Sequence, residues 1–474
     1  MSPLIATVVY ALGIGGLFLL NRDREDRTST ALWIPVVWLL INSSRAVSMW
    51  LAAAGITSLP PPTELEQQYL DGSPIDSAVY AALLVMGLIV LISRGRGAGA
   101  LLRQNGLILL FFAYCALSIY WSDYPFVAFK RWIKAGGDLI MILIVLTDAD
   151  PKAALKRLFS RGTFLLLPIS VLLIKYYPDL GRHYNVWTWT PTVGGVTLGK
   201  NLLGMTTLVF GLTSVWRFFA AYKDVEDVGR WRKMIAHGAI MGTSVWLLWV
   251  AHSATSSSCF AMAGGLIAIT SVPRLGEKRA VVHLLIGAMC CVAIFALFLA
   301  PEAGLVEGLG RDATLTGRTA IWQAVLRVSD SRWLGAGFES FWLGDRLEDV
   351  ARITGIKINE AHNGYLETYL NLGWVGVSLL AVLIVTGYRR VLAAFRREPE
   401  TGRLMLAFFL VSVIYPFTEA GFRMMTPTWI AFLVAIMAAP INARQAAATE
   451  SLETTHAEMA VPNGRVSMGA GVRA

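Results

Sequence analysis

His362 is the side chain in this sequence best placed to carry a proton near neutral pH. It lies in the stretch Glu360-Ala-His-Asn-Gly-Tyr-Leu-Glu-Thr-Tyr-Leu-Asn-Leu-Gly-Trp-Val-Gly376, where a long hydrophilic loop becomes an apolar helix. Imidazole titrates in the range that general acid–base catalysis needs, although the same position also suits a helix cap. Arg182, Arg311, Arg318, Arg327 and Arg332 add permanent positive charge in loops on the same side. Guanidinium groups grip phosphate oxygens in pairs. Gly317-Arg318 opens a predicted helix, whose first amides would strengthen an anion site. Lys200-Asn201 follows a glycine-rich stretch and starts an apolar run at the same level. His362, Lys200 and several arginines can therefore meet at one membrane surface, as a lipid-linked pyrophosphate requires. Each arginine alone would serve equally well pairing with a local acid or a lipid phosphate.

Other candidates carry less. Lys134 and Asp138 are spaced to pair along one turn. His252, with Ser253, Thr255, Ser256, Ser257 and Ser258, makes a polar helix end suited to capping. Arg45 and Glu419 lie near outer ends of apolar runs and could complete an ion-pair network. The sequence has no Walker loop, zinc spacing, nucleophile elbow or haem motif. Its outer loops have no paired-carboxylate motif that specifies a metal, so neither a metal nor a cofactor is expected.

The elements that must position these residues follow from composition. The chain has 474 residues, 55% hydrophobic and only 15% charged. Recurring apolar runs of membrane-spanning length then specify an all-α polytopic membrane protein with about 12–13 transmembrane helices. The runs centre on 3–20, 31–50, 77–93, 104–121, 131–147, 160–177, 201–221, 234–252, 257–272, 281–300, 371–388, 404–420 and 424–440. Every second connecting loop is basic, which places those loops in the cytoplasm and the N-terminus outside, or both ends inside if the first run does not span. The net charge of +9 is this orientation signal and not a nucleic-acid one. The first run lacks a basic start and a cleavage site, so it reads as a retained span. Cys115, Cys259, Cys290 and Cys291 fall in apolar runs and read as small buried hydrophobes.

Between the tenth and eleventh runs lies a long outward loop, 301–370. In it, 316–329 predicts an amphipathic helix with Ile321, Val325 and Val328 on one stripe and Trp322 adjoining. Gly335-Ala-Gly337 breaks the pattern, and Phe338, Phe341 and Trp342 are expected to dip into the membrane interface. The tail after Ala443 reads as disordered.

Four segments in order resemble the O-antigen ligase and Wzy-type polymerase superfamily. They are Gly199-Lys200-Asn201-Leu202-Leu203-Gly204, Gly317-Arg318-Thr319-Ala320-Ile321-Trp322, Leu334-Gly335-Ala336-Gly337-Phe338, and His362-Asn363-Gly364-Tyr365-Leu366 followed by Gly373 and Gly376. The ligase-like stretch runs from about Val193 to Val377. Ser44-Arg45-Ala46-Val47-Ser48 and Gly72-Ser73-Pro74-Ile75-Asp76 are similar to exopolysaccharide-production members of the succinoglycan-polymerase type. The resemblance implies a GT-C-like helical glycosyltransferase with one large extracytoplasmic loop over a lateral cleft. It also implies metal-independent transfer of a glycan from undecaprenyl pyrophosphate.

The expected function is polymerisation of undecaprenyl-pyrophosphate-linked oligosaccharide repeat units on the extracytoplasmic face of the bacterial cytoplasmic membrane. His362 and Arg318 are the expected catalytic residues. Arg182, Lys200, Asn201, Arg311, Asn363 and Tyr365 are the expected substrate-binding residues. The implied partners are the lipid-linked donor, a glycan acceptor, membrane lipids, a chain-length regulator and export machinery, with no nucleic acid. The expected organisation is N-terminal helices over 1–192, the ligase-like region over 193–377 with the loop 301–370, C-terminal helices over 378–443, and a cytoplasmic tail over 444–474. A ligase joining finished glycan to another acceptor is the alternative within this chemistry. A transporter of the same lipid-linked glycan is the alternative outside it.

Overall fold

The computed structural model describes residues 1–22, 28–58, 72–184, 191–272, 279–294, 314–329, 331–355 and 358–438. The tail 444–474, Arg311, Trp187 and Trp189 lie outside the described residues. Helices dominate, as a chain in lipid must satisfy its backbone polar groups within each segment. In chain order they are α1 (Pro3–Leu20), α2 (Trp33–Asn42), α3 (Val47–Ala53), α4 (Pro74–Arg94), α5 (Arg96–Gln104), α6 (Gly106–Leu117), α7 (Pro125–Leu146) and α8 (Pro151–Tyr176). Then follow α9 (Lys200–Lys223), α10 (Arg230–Ala251), α11 (Ala254–Ser271), α12 (Arg279–Ile294), α13 (Thr314–Val328), α14 (Asp345–Thr354), α15 (Gly364–Arg397) and α16 (Pro399–Ile414). An apolar helix α17 spans Pro427–Ala438. A two-stranded hairpin, Arg182–Tyr184 with Pro191–Val193, is antiparallel and pairs Arg182 with Val193.

Among the described residues, eight helices are long and apolar enough to cross a membrane, or ten if each of two bent pairs is one span. The other expected runs fall on α7, α12 and α17. The second run is bent by 71° between α2 and α3, and the fourth by 81° between α5 and the helix that follows it. Arg45 sits in the first bend.

The centre of the bundle is α9, with 83% of its most apolar window buried. It packs on α8, α10, α11 and α16. Close approach is set by small residues, the usual device between helices in lipid. A Cβ on Gly204 would lie 2.6 Å from Ser256 Oγ, and one on Gly211 would lie 2.9 Å from Ser244 Oγ. At the end of the bundle that carries the basic loops, ion pairs tie helices to neighbouring helices and connecting loops. These are Arg94–Asp148 at 3.2 Å, Lys152–Glu398 at 3.3 Å, Lys156–Glu400 at 2.9 Å and Lys233–Asp227 at 2.9 Å.

The other end is capped by the layer built from α13, α14 and the loop between them. Its small core contains Val325, Phe341, Trp342, Val350, Ala361 and Leu370. The predicted stripe on α13 holds, with Ile321, Trp322 and Val328 packed against that core. Phe338, Phe341 and Trp342 are a correction to the sequence reading. All three are buried in protein instead of entering the membrane interface, because the left-handed glycines Gly335 and Gly337 fold their segment onto α15. Ala336 N–H donates to Leu370 O and Gly337 N–H to Asn371 O, both at 2.9 Å. The opposite partner is Gly373, where α15 kinks at φ 63°. A Cβ there would lie 2.1 Å from Trp333 O.

Gly373→Ala therefore meets both a left-handed backbone and an occupied space. Its expected cost is about 1–3 kcal/mol, seen as a lowered unfolding midpoint of the purified protein in detergent. An unchanged midpoint would show that the layer does not depend on this close approach.

Candidate functional site

Lys200 and Asn201 open α9, and the sequence delivers them there through a rigid turn. Arg45, in the α2–α3 bend, donates its backbone N–H to Val196 O at 3.0 Å and its guanidinium to Thr197 O at 3.1 Å. The same guanidinium also meets Leu180 O and, at 3.1 Å, His183 Nε2. Burial and this neighbouring cation hold the His183 imidazole below its ordinary pKa, so it accepts from Arg45 as a neutral ring. The sequence segments around Arg45 and Asp76 also meet. Asp76 accepts from Ser48 N–H at 2.9 Å and Ser48 Oγ at 2.6 Å.

The centre of the site is a carboxylate, Glu419, in the non-helical segment between α16 and α17. Its side chain is only 6% exposed. Asn201 Nδ2 donates to its Oε2 at 3.1 Å, and Arg318, near the start of α13, donates to its Oε1 at 3.2 Å. His362 Nδ1 lies 3.4 Å from Oε2 and 3.0 Å from Glu360 Oε1. Three residues far apart in sequence, Asn201, Arg318 and His362, thus converge on one acid. A buried carboxylate needs such compensation.

The backbone on both sides of His362 is held by its neighbours. Ala361 donates N–H to Glu367 Oε1 at 2.5 Å and accepts from Trp322 Nε1 at 2.9 Å. Glu367, half-buried one turn into α15, also accepts from Trp342 Nε1 at 2.8 Å. Asn363 caps α15, its Oδ1 accepting from the N–H groups of Tyr365 and Leu366, both at 3.0 Å. Gly364 N–H donates to Glu419 O at 3.0 Å, joining the two segments through backbone. His362 itself takes a left-handed backbone, φ 50°, as do Glu339 (51°) and Met425 (66°). Such conformations in non-glycine residues gather where a structure over-determines them. From the membrane side, buried Asp138 accepts from Met425 N–H at 2.9 Å and from Trp38 Nε1 at 2.8 Å, which anchors the segment carrying Glu419. This corrects the expected Lys134–Asp138 pair. Lys134 instead stands over the Tyr80 ring, 5.3 Å from its centroid.

The electrostatic consequence falls on His362. Burial disfavours its charged form. The hydrogen bond His362 donates to Glu419 and the negative charges of Glu360 and Glu419 outweigh that, and Arg318 opposes them in part. The net effect raises the pKa of His362 above its ordinary value. With Nδ1–H directed at carboxylates, the tautomer is fixed and the lone pair sits on Nε2.

The remaining sequence candidates are placed differently. Arg182 donates Nε–H to Ile174 O at 2.9 Å at the start of its hairpin. Lys200 is exposed at the first turn of α9. Tyr365 packs between Phe417 and Phe422 and donates its hydroxyl to Val413 O at 2.8 Å. Asn363 and Tyr365 are thus committed to the fold around His362. The role of Glu419 as the hub was beyond the sequence, which gave it only a general ion-pairing part. Glu360, His362 and Glu419 each offer one ligand atom within 4.8 Å of the others, the spacing of a cation site. Arg318 already pairs with Glu419 there, so a divalent ion would be bound beside a guanidinium.

Comparison with known proteins bears on this arrangement. Residues 229–381 match a family model described as O-antigen ligase. That span includes Arg318 and His362 and begins after Lys200 and Asn201. The chain is also 25% identical over 337 residues to the exopolysaccharide production protein ExoQ of Rhizobium meliloti (strain 1021), covering 66% of this chain and 74% of that protein.

Removing the negative charge at the hub should lower the pKa of His362, because Glu419 raises it both by accepting its hydrogen bond and by its negative charge. In Glu419→Gln, the imidazolium is expected to lose its proton at a lower pH than in the wild type. Histidine-labelled NMR titration reads this directly, with His362→Ala identifying the resonance. An unmoved midpoint would separate the two residues electrostatically.

Proposed function

We propose that the chain is a member of the O-antigen ligase and Wzy-type polymerase superfamily and that it polymerises undecaprenyl-pyrophosphate-linked oligosaccharide repeat units outside the cytoplasm. As a multi-pass membrane enzyme of polysaccharide synthesis, it has the helices for the lipid-embedded part and a polar cluster at one end of the bundle. The observation that carries the reading is the pinning of His362 Nδ1 by Glu360 and Glu419, with Arg318 on the same Glu419 carboxylate.

In this mechanism His362 Nε2 takes the proton from an acceptor sugar hydroxyl. The hydroxyl oxygen attacks the anomeric carbon of the donor, and the carbon–oxygen bond to pyrophosphate breaks. Lipid-linked pyrophosphate leaves with the electron pair. Glu419 holds the imidazole in its productive tautomer and stabilises the imidazolium that forms. Arg318 faces the developing charge on the leaving group. A guanidinium has five N–H donors, more than its contact with Glu419 uses. Arg182 and Lys200 supply further positive charge for the donor. The extracytoplasmic placement of this cluster rests on the basic loops at the opposite end of the helices. The reaction needs no metal, since a proton acceptor and a fixed cation are both supplied by side chains.

His362→Ala should lower glycan transfer by about 10²–10⁴-fold at normal protein level. Wild-type activity in that variant would remove the histidine from the chemistry. Transfer should also fall as pH drops through the raised pKa of His362, because the base must be neutral, and Glu419→Gln should move that limb to lower pH. Chelator treatment of the purified enzyme should leave the rate unchanged. A loss restored by a divalent ion would instead assign Glu360, His362 and Glu419 to a metal. In a deletion strain, accumulation of single lipid-linked repeat units marks a polymerase, whereas accumulation of full-length lipid-linked polymer marks a ligase.

A further inference from the structure

A second cavity, of about 630 Å³, opens between α13, α14 and the turn at Ser122–Pro125. None of Asn201, Arg318, Glu360, His362 or Glu419 lines it. Its polar wall consists of Asp123, Asp345 and Asp349 with Arg327, Arg346 and Arg352, and Tyr124 closes one side. The volume lies within the ~300–1,000 Å³ range of ligand pockets.

The charge pattern selects the ligand class. Three carboxylates face three guanidiniums, and two pairs are in contact, Arg346–Asp123 at 2.5 Å and Arg352–Asp349 at 2.9 Å. A charge-balanced wall sets up no net field for a phosphate or a metal ion. Carboxylates and guanidiniums are, however, planar groups that can each engage two neighbouring polar atoms, which matches the adjacent hydroxyls of a sugar ring. The Tyr124 wall is built in. A Cβ on Gly344, at φ 54°, would lie 1.9 Å from Tyr124 Oη, so only glycine there lets the ring seat, and Tyr124 N–H is tied to Ser122 Oγ at 3.0 Å.

Position links the cavity to the His362 cluster. Helix α13 carries Arg318 near one end and Arg327 near the other, about 13 Å apart at 1.5 Å per residue. We propose that this cavity is an oligosaccharide subsite, which holds neutral sugar units of the glycan chain away from the bond being formed. The assignment rests on the glycan-transfer reading above and adds to it a place for the rest of the chain. It would favour long acceptors over short ones and so influence product length.

The test uses the full-length protein in nanodiscs, titrated with lipid-free oligosaccharides of one, two and three repeat units. Binding should tighten with length in the wild type and in His362→Ala alike. Asp349→Asn and Arg327→Gln should weaken binding of the three-repeat ligand about tenfold and shift the product profile to shorter chains. Asp349 lies on the exposed helix α14, with 43% of its side chain accessible, so its isosteric replacement should fold, as an unchanged melting midpoint would verify. Equal binding by variants and wild type, or binding independent of length, would overturn the subsite and leave the cavity as an ionic joint. Tight binding of inorganic phosphate in the cavity would overturn the neutral-ligand assignment. If the wild type forms no glycosidic bond from lipid-linked donor yet binds by length, the transfer reading fails and the subsite stands. If it transfers glycan but binds without regard to length, the subsite alone fails.

Discussion

The arrangement of this protein turns on one buried carboxylate. Glu419 sits in a break between two apolar helices, 6% exposed, where an uncompensated charge would be costly. Its compensation comes from three separate parts of the chain: Asn201 at the head of α9, Arg318 near the head of α13 and His362 before α15. Satisfying the acid therefore fixes the distance between the central helix, the covering layer and the kinked helix. The same contacts give the imidazole its orientation and its raised pKa. Structural need and chemical poise have a common origin here.

The shell around that acid is rigid by construction. Glu367 and Trp322 hold the two sides of Ala361, Asn363 caps α15, and Gly364 bonds directly to the Glu419 backbone. Asp138 reaches up from within the bundle to the left-handed residue Met425. In the proposed role of His362 as a base, meeting an incoming hydroxyl within about half an ångström would need such support. The bundle supplies it through helix ends, whose orphan backbone groups are available for these bonds. The opposite end of the bundle is built differently, from ion pairs such as those joining α8 to the start of α16, and serves to hold the helices together.

Much of this was legible in residue order. Apolar runs and alternating basic loops specify a polytopic helical protein, since lipid leaves few other options for the backbone. The stripe on α13 follows from spacing alone, and so does the seam at His362 where polar loop becomes helix. The family resemblance rested on short segments whose residue types are imposed by local geometry, such as the Asn363 cap and the glycines at 335, 337 and 373 that let two segments touch.

Pairing across the fold was not legible. Glu419 looks like any acid at a helix end until α9 and α13 bring Asn201 and Arg318 to it. Asp138 has Lys134 one turn away along its own helix, yet it bonds Trp38 and Met425. Phe338, Phe341 and Trp342 have the composition of interfacial anchors, but the glycine turns fold them into protein. Local sequence sets what a segment can form, through periodicity, capping and backbone freedom. Which buried charge meets which partner depends on contacts between segments 57 to 287 residues apart, and those exist only once the helices have packed.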